Sequence, residues 1–299
     1  MGIIFIMTVF KKDSINFTVG SLTHKGMKRE GNEDSFCVLI ENDSPDYSSG
    51  LMIVADGMGG HEAGEVASSM AVNGVVEFFG DFILKENDSF KKKIKDATSF
   101  LVRSIEKVNF EIYKASKNPE TEGMGTTLTT LLLIENVAVI GHVGDSRIYL
   151  LRDNEFNQIT IDHTWVEGEV NEGRLTAEEA ISHPMRNILS RAIGNNQKVK
   201  VDTNTFSLKE KDIILFCSDG LNAMLDDLTI KDIISTHKPQ KACSLLVDKA
   251  NSNGGLDNIT VGVINIDSLN YDSSNSIELS KPRGESKTLL GNVFSLLKK

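Results

Sequence analysis

The sequence predicts an α+β fold built on antiparallel sheet. Apolar runs of strand length recur with only short polar turns between them, and connections that short join antiparallel neighbours, whereas parallel strands need long crossovers. Two stretches instead place apolar side chains at three- and four-residue steps, the period of a helix. The chain has 299 residues, 40% hydrophobic and 25% charged, an ordinary globular composition with enough length for a sizeable core in one large domain or two modest ones.

In order, residues 17–23 and 35–40 read as strands, separated by the polar stretch Lys28-Arg29-Glu30-Gly31-Asn32-Glu33-Asp34. Residues 51–55 are a short apolar run of the kind buried inside a sheet, and it stops abruptly at Asp56-Gly57. Residues 64–79 form a helix with Val66, Met70, Val75, Ala67, Ala71 and Phe78 along one stripe. A longer helix over 89–116 has Ile94, Ala97, Leu101, Ile105, Val108 and Ile112 as its core face. Strands at 126–134 and 137–142 flank Glu135-Asn136, a tight hairpin. Gly144-Asp145-Ser146 turns into a strand over 147–152, and Asp153-Asn154 begins the next turn. Residues 162–194 read as helical and polar without a single apolar face, with helices at 174–182, ended by His183-Pro184, and at 187–193; the segment reads as a flap beside the main body. Strands return at 199–206, 213–217 and 259–266, with helices at 229–235 and 242–251. Beyond 266 the composition turns to Ser, Asn, Asp and Pro, as expected of a linker, and Leu289, Leu290, Val293, Phe294, Leu296 and Leu297 can form a short amphipathic tail helix.

The net charge of −10 excludes a nucleic-acid backbone as partner. Cys37, Cys217 and Cys243 are widely spaced with no CxxC pair, and read as reduced thiols of a cytosolic protein. No stretch approaches the length of a transmembrane helix. The apolar opening Met1–Met7 lacks a basic region and a cleavage site, so it is not read as a signal peptide. Ile6 stands where myristoylation wants Ser or Thr, and Met7 is an alternative start.

The chemistry lies in acids at strand ends. Asp34, Asp56, Asp145, Asp219 and Asp257 each flank a predicted strand, and Ser218-Asp219-Gly220 repeats the arrangement at Asp56-Gly57. If those ends share one edge, so much like charge demands either raised pKa values or cations. Carboxylates and a close-approaching Gly57 carbonyl are hard oxygen donors for a divalent ion. Paired ions of this kind clamp a hydroxide and polarise a phosphoryl oxygen, and Arg29 nearby offers a planar fork for phosphate. Taken alone, each residue has a plainer reading: Asp56, Asp145 and Asp257 as turn residues, Arg29 as a surface charge, His142 and His163 as hydrogen-bonded strand and flap-base residues. Cys217 and Ser218 are rejected as nucleophiles, since neither a CxxxxxR phosphate loop nor a G-x-S-x-G elbow surrounds them.

These residues carry a family resemblance. The chain resembles the PP2C-type (PPM) metal-dependent protein phosphatases in their bacterial form. The matching pieces are R-x-x-N-E-D at 29–34, DGMGGHEAGEVAS at 56–68, GTT at 125–127, GDSR at 144–147, DHTWVEGEVNEGRLTAEEA and HPMRNILSRAIG within 162–194, SDGL at 218–221 and DNITV at 257–261. They follow the family's order and span about 17–267, leaving 1–16 as an N-terminal extension and 268–299 as a polar linker and amphipathic tail. The resemblance implies a four-layer α-β-β-α sandwich of two antiparallel sheets flanked by helices, with a helical flap at about 165–190. It implies hydrolysis of phosphoserine and phosphothreonine on proteins by a water bridging two Mn²⁺ or Mg²⁺ ions, with a third, weaker ion, reversing a Ser/Thr kinase. Asp56 resembles the bridging carboxylate, with the Gly57 carbonyl beside it; Asp219 and Asp257 resemble the other ligands of one ion; Glu33 and Asp34 resemble the acids of the second; Asp145, with Asp219, resembles the site of the third; Arg29 resembles the phosphate-binding arginine. The chain departs from the eukaryotic pattern where Met58, not histidine, follows Asp-Gly. His61, three residues on, stands as the candidate proton donor, with a structural role at the helix entry as its other reading. A cytoplasmic monomer acting on phosphoproteins is expected. The alternatives are a non-catalytic member that binds phosphoproteins or senses metal, and a dedicated phosphatase of one regulatory protein.

Overall fold

In the computed structural model, which describes residues 15–41, 49–59, 62–82, 88–269 and 277–279, the chain builds two antiparallel sheets. The second sheet in space runs β1 (Ile15–His24), β11 (Ile259–Leu269), β10 (Ile213–Cys217), β7 (Arg147–Arg152) and β8 (Glu155–Gln158). The first runs β2 (Asp34–Glu41), β3 (Ser49–Met58), β5 (Leu128–Ile134), β6 (Val137–Val143) and β9 (Asp202–Ser207), with the two-residue β4 (Gly125–Thr126) on the end of β3. Helices α1 (Glu62–Gly80) and α2 (Phe90–Ala115) cover the first sheet. Helices α5 (Asp219–Asn222), α6 (Asp227–Thr236) and α7 (Pro239–Ser252) cover the second, and α3 (Trp165–Asn171) and α4 (Ala177–Ser182) belong to the flap.

The layering follows from the two-residue period of a strand. Leu51, Ile53 and Ala55 of β3 face α1 and α2, in a layer with Ala67, Ala71, Val75, Leu101, Ile105 and Ile112. Met52 and Val54, one residue out of phase, face the other sheet and meet Leu131, Ile140, Ile148, Phe216 and Ile264. The far face of the second sheet buries Tyr149, Leu215, Val261 and Val263 against Ala242, Leu246 and Ala250 of α7. Three apolar layers between four layers of structure are the expected sandwich. The central strands are buried on both faces, which is why their sequences are continuous apolar runs. Gly262 is set by this packing: a Cβ there would lie 2.0 Å from the Phe216 ring directly across the ladder. Gly262→Ala is expected to cost about 1–3 kcal/mol by overpacking, measured by urea unfolding.

Most predicted elements stand within two residues of their expected bounds, the usual play at element ends. The exceptions miss by three residues: β3 and β11 run on to Met58 and Leu269, α7 starts earlier, at Pro239, and α4 and β9 start later, at Ala177 and Asp202; the first strand begins at Ile15, which is fully buried. The flap is the main correction. Only α3 and α4 are helical in it, and 187–193 is not a helix. Its backbone groups are taken elsewhere: Trp165 N donates to Ile188 O, Ser190 N to His163 O, and Thr126 and Ile193 exchange both bonds. Strand β8 was not predicted; Asp153 and Asn154, at φ 51° and 65°, form a tight two-residue turn that folds it onto β7. The fold also reaches past 267. Ser207 N donates to Ile277 O, Ile277 N donates to Ser207 Oγ, and Leu279 packs against the layer between the sheets. The extension before residue 15 and the predicted tail helix lie outside the described residues. Among those described, no helix is long and apolar enough to cross a membrane.

Candidate active site

Strand register brings the acids to one rim. Asp34 opens β2 directly opposite Asp56 on β3, which puts two like charges on a cross-strand pair, an arrangement that destabilises unless something compensates. In the other sheet, Cys217 at the end of β10 pairs with Val261 of β11 on one side and Arg147 of β7 on the other. Asp219, Asp257 and Asp145 therefore leave the same end of that sheet. The charges of Asp34, Asp145, Asp219 and Asp257 all act on Asp56.

Burial makes this cluster costly. Asp34 and Asp145 are buried, and Asp56 and Asp219 are half-buried. Desolvation, before any neighbouring charge, pushes Asp34 up to about 7 and Asp219 up to about 6. The same cause raises Asp56 and Asp145 well above the carboxylate range. Asp34 Oδ2 accepts from Ser218 Oγ and Thr260 Oγ1, both at 2.7 Å. Its Oδ1 is buried without a partner, as is Asp219 Oδ1. A buried carboxylate oxygen with no donor is an acceptor waiting for a cation, so the donor set suits a hard divalent ion. Among the described residues no three acids, histidines or cysteines stand close enough together to hold an ion; it is the desolvated carboxylates and their partnerless oxygens that point to one.

Around the acids the backbone is tightly held. Asp56 N donates to Thr127 Oγ1 at 2.8 Å, and Asp56 O accepts from Thr127 N and Thr126 Oγ1. Gly57 serves close approach and not left-handed backbone: a Cβ there would lie 2.2 Å from Gly64 O, while the positive φ belongs to Gly59, at 141°. Glu33 O accepts from Gly57 N and Ser68 Oγ, and its Oε2 lies against Gly64 in the first turn of α1. Arg29 sits at the rim, half exposed, with Nη2 2.7 Å from Asp257 Oδ2. That hydrogen bond is the first cause of its raised pKa. The predicted phosphate fork and the predicted metal ligand are thus paired with each other. His61 lies outside the described residues.

Several residues at the site were not assigned from sequence. Asn258 accepts from Glu33 N and donates to Lys25 O and Gly31 O, pinning the loop that carries Arg29. Ser218 is no nucleophile: it donates to Asp34 and accepts from Thr260 N. Burial pushes the Cys217 thiol up to about 12, which removes it too. Small hydroxyl and amide residues directly beside the aspartates were the available signal. A cavity of about 180 Å³ separates the acids from the flap, lined by Asp145, Arg147 and Asp219 on one side and Ile181, Arg186 and Asn187 on the other.

The family model for protein phosphatase 2C matches residues 30–247. The protein phosphatase PhpP of Streptococcus pneumoniae is 36% identical over 249 residues, covering 83% of this chain and 97% of its own. The solved serine/threonine phosphatase Stp1 of Staphylococcus aureus superposes with a TM-score of 0.77 at 32% identity, over 88% of this chain and all of that one. The catalytic domain of the phosphatase PstP, solved with two manganese ions, gives a TM-score of 0.70 at 32% identity, over 84% of this chain and 99% of that one. With the ordered acids, the two-sheet sandwich and these likenesses in agreement, the chain belongs to the protein phosphatase 2C family.

Proposed function

We propose that this protein is a metal-dependent phosphatase of phosphoserine and phosphothreonine in proteins, and that the acid rim is its catalytic centre. The observation that carries the reading is the pair of buried, partnerless oxygens, Asp34 Oδ1 and Asp219 Oδ1, inside a cluster of five carboxylates. Asp56, Gly57, Asp219, Asp257, Glu33 and Asp34 would hold two Mn²⁺ or Mg²⁺ ions, and Asp145 with Asp219 a third, weaker one. When bound, such ions acidify water at neutral pH and draw charge from the phosphoryl oxygens. The chain itself supplies desolvated carboxylates on rigid strand ends, and Arg29 to orient the phosphate. The reading includes a cytoplasmic monomer working opposite a Ser/Thr kinase. Three cysteines without a disulfide favour the reducing compartment, and sedimentation tests the monomer.

Incubating the purified chain with phosphothreonine peptide tests the activity. Phosphate release should need Mn²⁺ or Mg²⁺ and stop on chelation. Peptide binding without turnover under any divalent ion would favour the non-catalytic alternative. Arg29→Ala is expected to raise KM for the peptide about tenfold with a smaller change in kcat, as loss of a charge-assisted fork would; an unchanged KM removes Arg29 from phosphate recognition.

A further inference from the structure

The turn that carries Asp145 is gripped at every residue around it. Ser146 Oγ and Thr127 Oγ1 lie 2.7 Å apart. Arg147, buried, places Nε 2.9 Å and 3.0 Å from the two Asp162 oxygens and Nη2 2.6 Å from Oδ2, and its Nη1 donates to Tyr149 OH. Gly144 is held twice by His163: His163 N donates to Gly144 O at 2.8 Å, and Gly144 N donates to the His163 ring at Nδ1, 3.0 Å away. A backbone N–H can only donate, so Nδ1 carries no proton. The proton of the neutral ring is then on Nε2, which donates to Asp202 Oδ2 at 3.1 Å. Asp202 lies well below the usual carboxylate range, first because of this hydrogen bond. Arg191 Nη1, 2.9 Å from Nε2, is drawn to the same carboxylate, 2.7 Å from its Oδ1. Gly144 has φ +113°, and a Cβ there would meet Thr127 at 2.5 Å, so the turn has little freedom to find another position.

We propose that Asp162 and His163 are positioning residues: together they clasp Gly144 and Arg147 on either side of Asp145 and set that carboxylate at the flap-side edge of the acid rim. The clasp is also where the flap begins. Thr164 caps α3 through Glu167 N, and His163 O accepts from Ser190 N on the returning leg of the flap. The same dipeptide therefore joins Asp145 to both legs of the flap. The inference rests on the reading of Asp145 as an ion ligand, and it concerns how that ligand is held.

The test follows amide exchange at Gly144 and titrates Mn²⁺ calorimetrically into the full-length metal-free chain. In His163→Ala, exchange at Gly144 should rise at least about tenfold. The weakest Mn²⁺ step should lose about tenfold in affinity, the usual scale for removing a group that orients a ligand, with the tighter steps unchanged. His163→Asn, which restores an acceptor near the Nδ1 position, should recover much of both. If His163→Ala fails to fold, Asp202→Ala stands in for it: it removes the acceptor of Nε2–H from a partly exposed site and should move both readouts the same way by less. Unchanged exchange and unchanged Mn²⁺ steps in the variant that folds overturn the clasp, as does equal weakening of every step. Asp145→Asn is the control. If it leaves all Mn²⁺ steps intact, Asp145 is not a ligand and the metal reading fails there, while Gly144 exchange still reports on the clasp.

Discussion

Asp56→Asn is expected to lower Mn²⁺-dependent hydrolysis of a phosphothreonine peptide by about 10³-fold or more, the scale of losing a principal electrostatic element of a site. Asp56 is the residue on which every other acid of the rim acts. Asparagine keeps its shape and the backbone bonds to Thr126 and Thr127 but removes the charge a cation needs. The substitution should therefore not unfold the protein. It should raise the melting temperature of the metal-free chain, because a desolvated charge among like charges is lost. Activity within tenfold of the parent would show that the rim is not the centre of catalysis.

The second large effect is on stability. In the unfolded chain the aspartates ionise near ~3.9. In the folded chain Asp34 keeps its proton up to about 7 and Asp219 up to about 6. Below pH 4 both states are protonated at these sites and the sites are neutral to folding. Between about pH 4 and 7 the unfolded chain binds fewer protons than the folded one, so stability falls as pH rises, and above 7 the penalty is complete. At about 1.36 kcal/mol per pH unit the two sites together make it on the order of 7 kcal/mol in chelator. Added Mn²⁺ should restore most of it, and should stabilise far more at pH 8 than at pH 5. Thermal melts at those two pH values, with chelator and with Mn²⁺, check it; metal-free stability that is flat or rising between pH 5 and 8 counts against a desolvated acid rim.

Much of this was legible in the sequence because the relevant signals are local. A buried strand ending in Asp-Gly announces itself through an apolar run that stops, and both Asp56 and Asp219 did so. That they meet depends on register across two sheets, which a linear pattern holds only through the resemblance of its ordered motifs. The flap was misread for the opposite reason. Residues 187–193 have no period of their own, and their backbone is shaped by partners at Thr126, His163 and Trp165. Strand β8 is four residues alternating exposed and half-buried, with Phe156 the one apolar side chain among them, too short a run to read as a strand. Asp162 opened a segment read as helical and polar, and His163 read as a hydrogen-bonded flap-base residue; only the folded chain shows that what they grip is a turn fifteen to twenty residues upstream.

The return of Ile277 to Ser207, and of Leu279 to the layer between the sheets, has a practical side. Strand β9 is the last of its sheet, and an uncapped margin of that kind offers its amides to any neighbouring polypeptide. Trimming the gene to the stretch spanned by the recognisable motifs would strip that cover and uncover apolar surface between the sheets. Such a shortened protein should clump on concentration while the full-length one stays dispersed.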